Sequence, residues 1–240
     1  MYNRILTLSM FGMLFFSSQT LFAQYQHNAW FRGTVNVPLS SKLTLDTELQ
    51  HRRQSALNTS NFLGENLLHS YRNWLHYQHQ PYLKFSLSPF AYFNHYKILQ
   101  SEDDCLGTPN YEVRFSAAFE IQLPLAQNFY FIDRSAVEYR ILSNTSSDIT
   151  RFRNRLGVKY DLSDQLHFTL SNEFILNTSG VPLTHFFDQN RIGFNVEYQV
   201  LNNLKFDLGY IHLIRFPVHA TSALYEHNIY FNLAYKLFQK

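Results

Sequence analysis

The 240-residue sequence predicts an all-β fold, an antiparallel transmembrane β-barrel of ten to twelve strands with a polar lumen rich in Arg and Glu. Three observations predict it. Segments of near-strict alternation recur, as in YEVRFSAAFEIQL (Tyr111–Leu123), where Val113, Phe115, Phe119, Ile121 and Leu123 share one face and Glu112, Arg114, Ser116, Glu120 and Gln122 the other. Most such segments run roughly ten to fourteen residues, about twice the usual soluble strand and enough for a tilted strand to cross the hydrocarbon layer. Finally, short turns and long polar loops take alternate places between them, the asymmetry of bacterial outer-membrane barrels.

In chain order, MYNRILTLSMFGMLFFSSQTLFAQ comes first: Arg4 gives a positive start, Ile5 to Phe16 an apolar run, and small Ala23 precedes Gln24. This pattern predicts a secretory signal peptide over residues 1–23, cleaved on export, and a single barrel domain over 24–240. The apolar run is short for a membrane anchor, and no cysteine follows Ala23 to carry a lipid. The alternating segments are Ala29–Val37, Leu43–Arg53, Leu68–Gln78, Leu83–Tyr96, Tyr111–Leu123, Phe129–Leu142, Arg151–Leu162, Leu166–Leu176, Arg191–Val200, Leu204–Phe216 and Tyr225–Leu237. Turns at Pro38–Lys42, His79–Pro81, Pro124–Asn128, Ser163–Gln165 and Leu201–Asn203 alternate with loops at Gln54–Leu67, Lys97–Asn110, Ser143–Thr150, Asn177–Asn190 and Pro217–Leu224. Three loops carry NTS, at Asn58, Asn144 and Asn177; the tripeptides mark loops expected outside the cell.

Eleven segments conflict with the even counts of single-chain bacterial barrels, whose termini share one side. The expectation is therefore that Ala29–Val37 is either no full crossing, which leaves ten strands, or is preceded by a short strand around Gln24–Asn28, which makes twelve.

One face of the segments collects Arg32, Glu48, Arg52, Glu112, Arg114, Glu120, Arg134, Glu138, Arg140, Arg151, Arg153, Arg155, Glu173, Arg191 and Glu197. Arg pairs with carboxylates in fixed geometry inside a confined space, so this face is expected to line the lumen as a structural charge network. The other face, with Phe31, Leu49, Phe119, Leu170, Phe194, Phe231 and Leu233 among many, reads as a continuous apolar belt toward lipid. A soluble, lipocalin-like barrel would need the same alternation turned inside out. The last strand, YEHNIYFNLAYKLFQK, has an aromatic near its end of the kind the barrel assembly machinery reads, although Gln239 and Lys240 follow it. Outer-membrane lipid and that machinery are the partners expected.

The residues LDTELQHRR (Leu45–Arg53), YEVRF (Tyr111–Phe115), RSAVEYR (Arg134–Arg140), RFRNRLGVKY (Arg151–Tyr160), NEF (Asn172–Phe174), FDQNRIGFNVEY (Phe187–Tyr198) and LGYIH (Leu208–His212) resemble an uncharacterised bacterial outer-membrane β-barrel family, domain of unknown function 2490. The resemblance covers nearly all of residues 24–240 and implies the barrel and its location; it carries no activity.

Chemistry is sparse. A formal charge of +2 with no run of Lys or Arg gives nucleic acid no track. Cys105 is the only cysteine and reads as a free loop thiol. No Gly-x-Ser-x-Gly occurs, and His212 is the best single candidate for a catalytic base, its plainer reading being an interfacial or lumen histidine. His76 and His79 are three apart, which on a strand points them to opposite faces, and His69, Tyr71 and Asn73 share a face without a known ligand spacing. No cofactor or metal is expected. The favoured function is a structural or envelope role with a salt-bridged, largely closed lumen; a narrow channel for small solutes and a lipid-modifying enzyme are the alternatives.

Overall fold

Eleven strands form among the described residues, each on one of the alternating segments: β1 (Tyr25–Pro38), β2 (Leu43–Gln54), β3 (Glu65–Gln80), β4 (Leu83–His95), β5 (Asn110–Ala126), β6 (Phe129–Leu142), β7 (Ile149–Asp161), β8 (Leu166–Ser179), β9 (Phe187–Leu201), β10 (Leu204–Arg215) and β11 (Leu224–Lys236). They come from a computed structural model that describes residues 25–57, 59, 61–217 and 222–237. The expected signal peptide, Gln24 and Asn58 lie outside the described residues. Even the shortest strands hold 12 residues. At about 3.3 Å per residue that is about 40 Å, and a tilt near 45° still leaves about 28 Å of crossing.

Each strand pairs with its sequence neighbours and β11 returns to β1, closing the barrel. Ten of the pairings are antiparallel hairpin contacts, and the closing one, β1 with β11, is parallel, with Tyr25 opposite Tyr225 and Asn36 opposite Lys236. The parity expectation fails here. Ala29–Val37 belongs to a full 14-residue crossing, and Tyr25–Asn28 is its beginning, not a separate strand. An odd number of alternating strands can close only if one pair runs parallel, and this chain closes that way. The Tyr25 end of β1 therefore sits with the long loops, and Lys236 sits with the short turns.

The turns explain themselves locally. At Pro38–Lys42 the amides of Leu39 and Ser40 both donate to the carbonyl of Leu43. Asn128, at φ 63°, supplies the left-handed residue between β5 and β6. In the long-loop layer, α1 (Glu102–Cys105) and a 3-10 turn (Leu183–His185) are the only helical pieces among the described residues. Gly180, at φ 82°, lies against the β6–β7 loop, where an added Cβ would fall 2.0 Å from the Asp148 carbonyl oxygen. Asn177 is not a loop residue as the NTS pattern suggested. It is a buried part of β8, accepting from Arg151 Nε at 3.5 Å and donating to the His185 carbonyl at 3.1 Å.

The faces divide as the alternation requires of a transmembrane barrel. Leu49 and Leu170 on the outside are 62% and 59% exposed, whereas the inward Glu112 and Glu138 are each 1% exposed. The outer belt is interrupted, however. Strand register puts Asp133 and Ser135 of β6, Asn154 of β7, Asn172 of β8 and Asn190 of β9 on the same outward side as Leu156, Phe174 and Ile192.

Candidate functional site

The lumen is where polar chemistry concentrates. Strands β5 to β9 carry a continuous ionic wall. Glu112 accepts from Arg114 Nε at 2.6 Å, from Arg140 Nε and Nη2 at 2.7 and 2.9 Å, and lies 2.8 Å from His95 Nε2. Arg114 reaches on to Glu138 at 3.2 Å, and Glu138 also accepts from Arg153 Nη1 at 2.8 Å. Arg153 bridges to Glu173 at 2.8 Å, and Glu173 takes Arg191 Nη1 at 3.2 Å. Arg151 closes the loop-side end, 2.8 Å from Asp188 and 3.9 Å from Glu138. Arg153 forks between Glu138 on β6 and Glu173 on β8, and Arg140 holds both oxygens of Glu112, geometries that the planar Arg head permits and an ammonium would not.

The remaining predicted residues stand apart from that wall. Glu120 gathers Lys84 at 2.7 Å, Arg155 at 3.6 Å and Arg134 at 4.0 Å. Glu48 pairs with Arg32 at 3.6 Å, and Glu197 with Lys205 at 2.9 Å. Arg52 has no carboxylate partner among the described residues. Its guanidinium lies 3.6 Å from the centre of the Trp30 ring and donates to Gln50 at 3.1 Å, while its Nε is buried without a hydrogen-bond partner.

Sequence reasoning missed Arg72, which also lacks an ion pair among the described residues and has a buried, unpartnered Nε; it lies over Trp74 at 5.3 Å and Phe93 at 5.1 Å. It also missed the pair Arg215 and Glu226, 2.8 Å apart, with Asn28 donating to the same carboxylate at 3.0 Å. The signal was present in both cases, since these residues sit in phase with the polar face of their strands.

A cavity of about 780 Å³ remains inside the barrel, and both Arg52 and Arg72 border it. The ionic wall forms one side. The Trp30, Arg52 and Arg72 side presents guanidinium groups that form no ion pair among the described residues. Positive charge on that side attracts an anion, because Arg52 and Arg72 border the cavity without an ion pair among the described residues to offset them.

One constellation resembles a hydrolytic relay. His76 Nδ1 is 2.7 Å from Ser86 Oγ, its Nε2 is 3.3 Å from Asp46, and Asn36 donates to Asp46 at 2.6 Å. Ser86 is only 6% exposed and does not border the cavity, so no carbonyl carbon can reach its Oγ in this conformation. His212 faces outward beside the rings of Tyr225 and His227. His76 points inward and His79 outward among Tyr77 and Phe85. His69, Tyr71 and Asn73 do share the outer face, where Asn73 donates to the Tyr71 hydroxyl at 2.9 Å. No group of three His, Cys, Asp or Glu able to hold a metal occurs among the described residues, and Cys105 is exposed on α1.

The family described as "Protein of unknown function (DUF2490)" matches residues 27–221, and the chain belongs to it. Among solved structures, the NanC porin is similar with a TM-score of 0.50 and 10% identity, covering 88% of this chain and 99% of that one. The outer-membrane channel DcaP of Acinetobacter baumannii aligns with a TM-score of 0.36 and 8% identity over 80% of each chain. The NanC likeness shows a shared barrel fold. No curated protein matches the sequence.

Proposed function

We propose that this family member resides in the bacterial outer membrane, exported there by its leader, and that its lumen is a narrow passage for small anionic solutes braced by the ionic wall of β5 to β9. The observation that carries the reading is the pair Arg52 and Arg72, both on the cavity and both without an ion pair among the described residues. Eight-stranded barrels are filled by side chains and those of sixteen or more hold open channels; eleven strands with a residual chamber stand between. The interlocked ion pairs from Glu112 to Arg191 favour a second reading, a closed envelope scaffold in which the charges serve stability alone.

Planar bilayers decide between them. Folded protein under a KCl gradient should give small conductance steps with a reversal potential on the anion side, and Arg52→Gln with Arg72→Gln should move that potential toward zero. Silent bilayers with protein of the correct folded gel mobility would support the scaffold. The relay of Ser86, His76 and Asp46 is too enclosed to support lipid hydrolysis.

A further inference from the structure

We propose that the outward face of β6 to β9 is the contact by which two copies of this chain pair side by side in the membrane. The basis is a polar stripe on a surface that should be apolar. Asn154 donates to Asp133 Oδ1 at 2.7 Å and to Ser135 Oγ at 2.9 Å, and Asn190 donates to Asn172 at 3.0 Å, with the return bond at 3.5 Å. Asn190 lies near the loop-side start of β9, but Asp133, Ser135, Asn154 and Asn172 lie within the apolar span of their strands. Phe131 and Val137 flank Asp133 and Ser135 along β6, Phe152 and Leu156 flank Asn154 along β7, and Leu170 and Phe174 flank Asn172 along β8, all on the outward side.

Polar groups facing hydrocarbon are costly and are kept where another protein surface satisfies them. An Asn amide offers two N–H donors and an acceptor oxygen, and a carboxylate accepts at both oxygens. Asp133 Oδ2 and Asn154 Oδ1 have no hydrogen-bond partner among the described residues, and the amides of Asn172 and Asn190 each have a donor to spare. The stripe is thus acceptor-rich at its β6–β7 end and donor-capable at its β8–β9 end. A twofold axis through its middle lays each end on its complement in the other copy, which is the requirement of an isologous interface. Acyl chains offer no such partner, and lipid head groups lie at the rims of the barrel. That self-complementarity selects a second copy over lipid or an unrelated protein, and it does not depend on whether the lumen conducts.

The experiment uses the full chain in its membrane, with Cys105→Ser removing the native thiol. Asn154→Cys or Asn172→Cys should give, on mild oxidation, a product at twice the chain mass, and Leu49→Cys on the opposite wall should not. No doubled product at either position, an equal product from Leu49→Cys, or a product at another mass would overturn the proposal. Native mass spectrometry gives a second reading: the parent protein should be dimeric, and the triple variant Asp133→Leu, Asn154→Leu, Asn172→Leu should be monomeric with its folded gel mobility intact. A triple variant that stays dimeric, or a parent monomer carrying bound lipid, would also overturn it.

Discussion

Glu138 shows how much rests on single carboxylates in this lumen. It is 1% exposed and faces Arg114, Arg153 and Arg151 at 3.2, 2.8 and 3.9 Å. Glu138→Ala leaves these guanidinium groups confronting one another, and breaking a buried pair in this way typically costs about 3–5 kcal/mol, less where lumen water reaches in. The expected outcome is a clearly lower temperature for loss of the folded gel mobility, with a smaller drop for Glu138→Gln, which keeps an acceptor. Outside the barrel wall, Asp104 in the β4–β5 loop accepts from the Gln100 and Ser101 amides at 3.0 Å each, from Ser101 Oγ at 3.1 Å and from Lys97 at 3.1 Å. The Gln100 amide first, then Lys97 and Ser101, hold its carboxyl down to about 2 against an ordinary 3.8. Because the folded value is the lower one, its contribution is present above pH 4 and is lost as pH falls from there through about 2. Amide exchange at Gln100 and Ser101, taken relative to the intrinsic rate at each pH, should lose its protection in that window, and Asp104→Asn should weaken that protection at neutral pH. That Glu and Arg share the inner face was legible from alternation alone. Who pairs with whom was not, because Glu138 reaches Arg114 on one neighbouring strand and Arg153 on the other, and those meetings depend on register.

Strand positions were legible for a physical reason: a face that must meet one solvent repeats every second residue. The exceptions are instructive. Asn177 looked like a loop residue by composition, yet Arg151 and the His185 carbonyl hold it inside β8. The belt read as continuous from the sequence, yet Asp133 and Asn172 fall in register with their neighbours' outward side chains and interrupt it. The parity rule misled most, since it summarises other barrels and says nothing of this chain's own β1, whose Tyr25–Pro38 span pairs with β11 over its length. The parallel pair makes a direct prediction. Val35 and Tyr235 are register partners across it; neighbouring strands lie about 4.8 Å apart, within the reach of a disulfide. Val35→Cys with Tyr235→Cys in the Cys105→Ser background should form an internal bond that holds the folded protein closed in denaturant. A barrel of ten strands without β1 would leave the two thiols apart, and reduction would then change nothing.

For the whole molecule, the long loops share one end and the short turns the other, so a sidedness follows. Asn144→Cys, in the β6–β7 loop, should react with an impermeant reagent on intact cells, and Ser163→Cys, in the β7–β8 turn, only after the envelope is opened. The reverse pattern would put the long loops in the periplasm and invert the proposed orientation.

The parallel pairing of β1 and β11 also bears on how such a chain enters a bilayer. An even set of strands can be delivered as hairpins, each dipping through the membrane and returning, so that neither free end ever traverses it. Eleven strands are five hairpins and one strand left over. Whichever strand is unpaired must thread one end of the polypeptide, with its charged or polar backbone terminus, through the hydrocarbon layer by itself. If β1 is that strand, the end that crosses is the Tyr25 end, which comes to rest on the far side with the long loops.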